Sequence, residues 1–247
     1  MLIDPSPQAQ SRYAYRLHST RTAAVIVLVA AFAACRPQPE EPSFPKAQRE
    51  VAAIVDDSYS TEDARDRLGE AEEVMRLAGI RPGMWVADVG AGDGYYTVRL
   101  SPAVGPKGRV LAEDIMPDAR ARLLDRVQRD KLNNVAVRLG KPEDPALPAR
   151  SFDRIFLVHM YHEVTEPYQF LWNMREGLEP DGEVVVVDAD RPTKRHGIAP
   201  ALLKCEFAAV GLRQVAFKTL AGGDSYYAAF RIAGPRPEPG KIKGCKS

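Results

Sequence analysis

The chain has 247 residues, of which 45% are hydrophobic and 27% charged, and a net charge of +1. That length fits one globular domain with extensions. The near-neutral balance excludes a protein that coats nucleic acid, and three cysteines exclude a disulfide-dense scaffold. Many of the prolines gather at 37–45 and 235–239, so they mark the ends of the chain and not its core.

Residues 22–34 (TAAVIVLVAAFAA) are thirteen positions without a charge. A membrane-spanning helix needs about 20 apolar residues, so this run is short for one. With Arg12, Arg16 and Arg21 before it, it reads as the apolar centre of an export signal covering 1–34. Phe32-Ala33-Ala34-Cys35 then resembles a bacterial lipobox, with Phe32 where leucine is usual. The resemblance implies lipidation of Cys35 and a place on the periplasmic face of a bacterial membrane, touched only through that anchor. A retained anchor and a buried helix are the competing readings, and without a working signal the chain stays cytoplasmic. Removal of 1–34 leaves 213 residues with a net charge of −1. The Pro- and Glu-rich composition at 35–60 suits a tether. Outside the cytoplasm Cys205 and Cys245 are able to pair, but sequence does not fix the distance between them.

The body runs from 61 to 234. Thr61-Glu62-Asp63 opens a helix on which Leu68, Ala71, Val74, Met75 and Ala78 recur at helical spacing. A strand follows at 84–89, a glycine loop, a helix at 95–103, a strand at 109–114 and a helix at 117–130. Further strands are expected at 135–139, 154–158 and 183–188, with helices at 168–178 and 199–210. The unbroken run Val184–Val187 suits a strand buried on both faces, hence a parallel sheet covered by helices. Strands at 212–220 and 225–233, joined by Ala221-Gly222-Gly223-Asp224, form a hairpin. Together these elements predict an α/β fold, a doubly wound, seven-stranded, mostly parallel sheet ending in an antiparallel hairpin. Residues 235–247 read as a mobile tail.

The strand ending Asp88-Val89 leads into Gly90-Ala91-Gly92-Asp93-Gly94-Tyr95. Glycine there admits positive φ and lets a ligand approach the backbone. A dinucleotide fingerprint would need its third glycine where Tyr95 stands, and no P-loop lysine is present. On these residues the chain resembles the class I S-adenosylmethionine-dependent methyltransferases over about 63–233. Asp88 with Gly90, Gly92 and Gly94 matches the family's first motif. Asp114, 24 residues after Gly90 and followed by Ile115, matches the acid that binds the ribose hydroxyls. The resemblance implies S-adenosyl-L-methionine as cofactor, held by Asp88, Gly90, Ala91, Gly92, Gly94, Asp114, Ile115, Glu143 and His159. Glu143 enters because Lys141 occupies the place of the usual adenine-side acid, and a backbone group is the alternative contact. Glu113 is read as facing outward or propping a neighbouring loop.

His159-Met160-Tyr161-His162-Glu163 follows the fourth strand, where a doubly wound sheet binds its ligands. His162 or Glu163 is a candidate to accept a proton from the methyl acceptor, with Tyr161 shaping the pocket. A helix start without chemistry is the other reading. Asp188, Asp190, Arg191 and His196 are further substrate-side candidates by position. No metal is expected, since His196 stands alone in the sequence. The expected partner is a small-molecule acceptor, or secondly a protein side chain, taken up by a monomer or weak dimer, with no nucleic acid. The competing functions are an exported binding or scaffold protein without turnover, and a nicotinamide dehydrogenase disfavoured by Tyr95 and the hairpin.

Overall fold

The computed structural model describes residues 43–54 and 61–246. The expected export signal at 1–34, Cys35 and the start of the linker lie outside the described residues, as do 55–60. No helix among the described residues is long and apolar enough to cross a membrane.

Two short helices open the domain, α1 (Glu62–Arg67) and α2 (Glu70–Leu77), where one was expected. Thr61 caps the first by accepting from the Ala64 N–H. Gly69, at φ 63°, breaks the run between them. Then follow β1 (Trp85–Val89), α3 (Thr97–Val104), β2 (Arg109–Asp114), α4 (Pro117–Arg129), β3 (Val135–Leu139), β4 (Phe152–Val158), α5 (Pro167–Met174), β5 (Leu178–Ala189), α6 (Pro200–Ala209), β6 (Leu212–Thr219) and β7 (Ser225–Ile232).

The seven strands lie in the order β3-β2-β1-β4-β5-β7-β6. The first five are parallel, and β7 is antiparallel to both β5 and β6. This is the predicted doubly wound architecture. Successive residues of the central strands serve opposite faces. Ala87, Val89, Val184 and Val186 pack under α5 and α6, while Val86, Val185 and Val187 pack under α2 and α3. Chain order reverses between β1 and β4, which opens a crevice at the carboxyl ends of those strands.

Two boundary expectations need correcting. The described part of the 35–60 linker is a strap fastened to the domain. Phe44 meets Trp172 edge-on at 5.6 Å, the Thr193 hydroxyl donates to the Glu50 carbonyl, and the Ala52 N–H donates to the His162 carbonyl. The 235–246 segment is likewise docked and not a free tail. Arg175 donates to the carbonyls of Gly234 and Pro235, Trp172 donates to the Pro237 carbonyl, and Arg236 lies 3.3 Å over the Trp172 ring. Ile242 and Cys245 are buried, and Cys245 is disulfide-bonded to Cys205 on α6, with Cα atoms 6.0 Å apart. The apolar and aromatic residues of both segments find partners on α5 and α6, and their Pro-rich composition concealed this.

Candidate functional site

A cavity of about 420 Å³ fills the crevice, within the size range of small-molecule sites. Its floor is the turn after β1. Gly90 and Gly92 both have positive φ, 68° and 53°. A Cβ on Gly90 would meet the Met160 side chain at 2.9 Å, whereas nothing lies within 4 Å of one on Gly92. The loop is therefore pressed against the β4 exit on one side and open on the other. Gly94 serves packing, since its Cβ would meet Leu123 of α4 at 2.5 Å, and it does not line the cavity.

Asp114 closes β2 and faces the cavity. Its Oδ2 accepts from the Gly92 N–H at 2.9 Å and its Oδ1 from the Met116 N–H at 2.8 Å. Each oxygen keeps a lone pair for a ligand hydroxyl. Ile115, Met116, Lys141 and Pro142 continue this wall. Glu143 does not; its backbone carbonyl accepts from Asn173. Asp88 is fully buried behind the loop and accepts from the Thr97 hydroxyl at 2.6 Å, and burial pushes its carboxyl up to about 6. It positions the loop and does not touch the cavity.

Of the two readings of Glu113, facing outward fails: it is 1% exposed, and its Oε1 is buried without a hydrogen-bond partner. Burial and the neighbouring Asp114 push it up to about 8. It packs on Gly140 so closely that any Cβ there would collide with the carboxyl, which realises the expected propping role.

At the other end stand His159, His162, Glu163 and His196. His159, at φ 52°, places Nε2 3.0 Å from the Glu70 carboxylate. Burial opposes the charge on Glu70, but His159 and Arg65 outweigh it and hold the carboxyl down at about 2. His162 is buried, with Nδ1 2.9 Å from Oδ1 of the fully buried Asp188. Its Nε2 lies 3.9 Å from Glu163, and the His196 ring packs edge-on to it at 5.5 Å. His196 is thus not alone; the turn after β5 folds back over the β4 exit. Asp190 and Arg191 remain outside the cavity lining.

Tyr161 is not a pocket residue. Its side chain turns away into the core, donating to Glu206 at 2.7 Å and packing on Phe207, and it does not line the cavity. A short helical turn over Tyr161–Glu163 puts the ring and the His162 imidazole on opposite sides. Composition gave no sign of Arg49. From the strap it pairs with Glu206 at 3.0 Å, both side chains 1% exposed, and donates to the carbonyls of Tyr161, His162 and Val164. Neither Arg49 nor Glu70 belongs to a recognisable motif, because each acts from more than 80 residues away in sequence.

Residues 87–186 match the "Methyltransferase domain" family. Among curated proteins, the chain is 32% identical over 120 residues to the ubiquinone/menaquinone biosynthesis C-methyltransferase UbiE of Shewanella sp. (strain W3-18-1). That match covers 48% of this chain and 47% of the relative, so the chain spans about half the length of the curated relatives it matches. A solved S-adenosylmethionine-dependent methyltransferase from Aquifex aeolicus superposes with a TM-score of 0.64 at 27% identity, over 69% of this chain and 93% of that one. The [4+2]-cyclase SpnF shares the fold at a TM-score of 0.61 and 16% identity, over 77% of this chain and 89% of that one. The chain thus has the fold of an S-adenosylmethionine-dependent methyltransferase, and its residues 87–186 resemble the methyltransferase domain family. The glycine turn, the open space at Gly92 and the Asp114 carboxylate fit that cofactor.

Proposed function

We propose that the protein transfers a methyl group from S-adenosylmethionine to a small, largely apolar acceptor. One observation carries this reading: a single cavity has the glycine turn and Asp114 at one end and His162, Glu163 and His196 at the other. Its walls between them include Ile54, Val89, Ile115, Met160, Val164 and Phe170. Apolar walls with a few convergent polar groups suit a small molecule better than a protein side chain.

When bound, S-adenosylmethionine supplies an electrophilic methyl group on a sulfonium. Asp114 would hold the ribose hydroxyls, and the turn at Gly90–Gly92 would admit the amino-acid part to the backbone. Ile115, Met116, Lys141 and Pro142 would line the place of the base. His162 is oriented by Asp188, and together with Glu163 it meets the acceptor and draws off its proton at Nε2 or the carboxylate. The rest of the catalysis is alignment of nucleophile, methyl and sulfur in line, which the packed walls impose. The UbiE relatives are C-methyltransferases of quinone biosynthesis. A carbon nucleophile of that kind needs a neighbouring hydroxyl deprotonated, which is work suited to this end of the cavity.

We also propose that the protein is exported and lipid-anchored at Cys35. The disulfide supports this, since such bonds persist in oxidising compartments and are rare in the cytoplasm. Radiolabelled lipid should enter the wild-type chain and not Cys35→Ala.

Calorimetric titration with S-adenosylmethionine tests the core of the proposal, followed by detection of S-adenosylhomocysteine over a panel of hydroxylated aromatic acceptors. Micromolar binding with product formation supports methyl transfer. Binding without turnover on any acceptor favours an exported binding protein, a reading to which the SpnF neighbour lends weight because it shows that this fold also serves other chemistry. No binding by folded protein overturns both.

A further inference from the structure

We propose that His162, Glu163 and His196 form a divalent metal site, zinc by ligand type, at the acceptor end of the cavity. Two imidazoles and one carboxylate are the ligand set of open zinc centres. One donor atom from each residue lies within 4.8 Å of the others. The Glu163 carboxylate stands 3.9 Å from both His162 Nε2 and His196 Nδ1. A cation with bonds of about 2.1 Å in tetrahedral geometry would set those separations at roughly 3.4 Å. Binding therefore asks for contractions of about half an ångström at both Glu163 separations, and of at most about 1.4 Å between the two imidazoles.

Three further observations favour a cation over a simple hydrogen-bonded cluster. His162 gives Nδ1 to Asp188, which fixes the ring and leaves Nε2 to face Glu163. This carboxylate–histidine relay is what orients metal-binding imidazoles. Asp188 is itself wholly buried and accepts from the Ala189 N–H, so the relay is rigid. Finally, the His196 Nδ1 is buried and has no hydrogen-bond partner, an arrangement that calls for a ligand. Its backbone sits in the left-handed region at φ 55°, with its N–H donating to the Thr193 carbonyl while the Thr193 hydroxyl donates to the Glu50 carbonyl of the strap. A residue kept in that sparsely populated conformation by its surroundings marks a constrained site.

Three protein ligands leave at least one position open toward the cavity. An acceptor hydroxyl placed there would be acidified by the cation's charge. This rests on the reading above and moves the activation to the cation: Nε2 and the carboxylate serve as its ligands in place of a direct base, and the hydroxyl's proton passes to water in the cavity. Its test is separable, because Asp114 and the glycine turn lie at the other end.

The full-length protein, stripped with a chelator, would be titrated with Co2+ as a visible-absorption probe and then with Zn2+ by calorimetry. The expected result is one ion per chain, Zn2+ displacing Co2+, with affinity falling about 100-fold in His196→Ala and Glu163→Gln and 10–100-fold in Asp188→Asn. S-adenosylmethionine affinity should stay within about threefold in His196→Ala, which also serves as the folding control. Absence of stoichiometric binding by wild type, or equal binding by wild type and His196→Ala, overturns the metal site. Failure of wild type to bind S-adenosylmethionine, with Co2+ still bound, would instead overturn the methyltransferase reading and leave the metal site standing.

Discussion

The two ends of the cavity are built by different means. The cofactor end is made of backbone and of residues adjacent in sequence: a turn at 90–93, the close of β2 at 113–116 and the loop at 141–142. Its geometry follows from the sheet, because each piece is the exit of a parallel strand. The acceptor end is made of side chains gathered from four segments: Ile54 from the strap, His159–Val164 after β4, Asp188 behind them, and His196 after β5. Arg49 holds that assembly by joining the carbonyls of Tyr161, His162 and Val164 to Glu206. The first end is thus a property of the fold, whereas the second depends on a few buried long-range contacts. Damage to those contacts should spoil the acceptor end and leave the cofactor end working.

The largest effect expected is that of Arg49→Ala. It strands the Glu206 carboxylate in the core, and loss of one partner of a buried pair typically costs about 3–5 kcal/mol. Thermal unfolding should show this drop, while cofactor affinity in the surviving folded fraction stays near wild type. Arg49→Lys should not rescue it, since one ammonium cannot reproduce a planar fork spread over a carboxylate and three carbonyls. Replacing both partners, Arg49→Met with Glu206→Leu, should recover only part of the stability, because the three carbonyls and the Tyr161 hydroxyl stay without partners. If Arg49→Ala weakens cofactor and acceptor binding equally, the two ends are not independent.

Next in size is the disulfide. It closes a 40-residue separation and fixes the docked C-terminal segment to α6, one residue from Glu206. Chain-entropy arguments put its contribution at roughly 2–4 kcal/mol. Cys205→Ser with Cys245→Ser should lower the denaturant midpoint by a corresponding amount, and added reductant should do the same to wild type. An unchanged midpoint would mean that the buried contacts of Ile242 and Trp172 hold the segment without the bond.

The same division explains what was legible beforehand. Every predicted strand is present, because runs such as Val184–Val187 and the Gly222-Gly223 hairpin announce themselves within ten residues. Asp114 and the glycine turn could be placed for the same reason. Tyr161 could not, because a three-residue helical turn decides which neighbour of His162 points inward, and period counting does not resolve so short an element. His196 was a candidate by position and does line the cavity, but its grouping with His162 and Glu163 was illegible, as was Arg49 altogether. Their partners lie more than 30 and more than 110 residues away in sequence, and neither residue carries a local pattern that names them. The Pro-rich ends misled for a related reason: proline composition reports backbone stiffness and says nothing of where Phe44, Ile242 or Cys245 will pack.

At the cofactor end, Asp114→Ala should weaken S-adenosylmethionine binding by about 1–3 kcal/mol, the cost of removing hydrogen bonds to buried hydroxyls. Calorimetry would read this as a roughly 5- to 150-fold rise in Kd. Metal binding at the far end should be unaffected. An unchanged Kd would remove the ribose assignment and move attention to Glu113, whose Oε1 has no hydrogen-bond partner.

The smallest effect expected concerns Glu113 itself. Its carboxyl is raised from the ordinary 4.5 to about 8 by burial and by Asp114. The folded state therefore holds a proton there that the unfolded chain releases above about 4.5. Stability from this group is complete below that pH and is lost as pH rises toward 8, the opposite sense to Glu70, whose lowered value makes its contribution fail only on acidification. The expected loss between pH 5 and 8 is about 1 kcal/mol, because the carboxyl borders a solvent-accessible cavity where the effective dielectric exceeds that of a dry interior. Glu113→Gln keeps the shape that packs on Gly140 and cannot ionise. Melting curves from pH 5 to 9 should then lose that part of their slope, with the variant at least as stable as wild type at the alkaline end. Parallel curves for the two proteins would show that Glu113 is already ionised in the fold. Burial and Asp114 would then be too weak to keep a proton on that carboxyl.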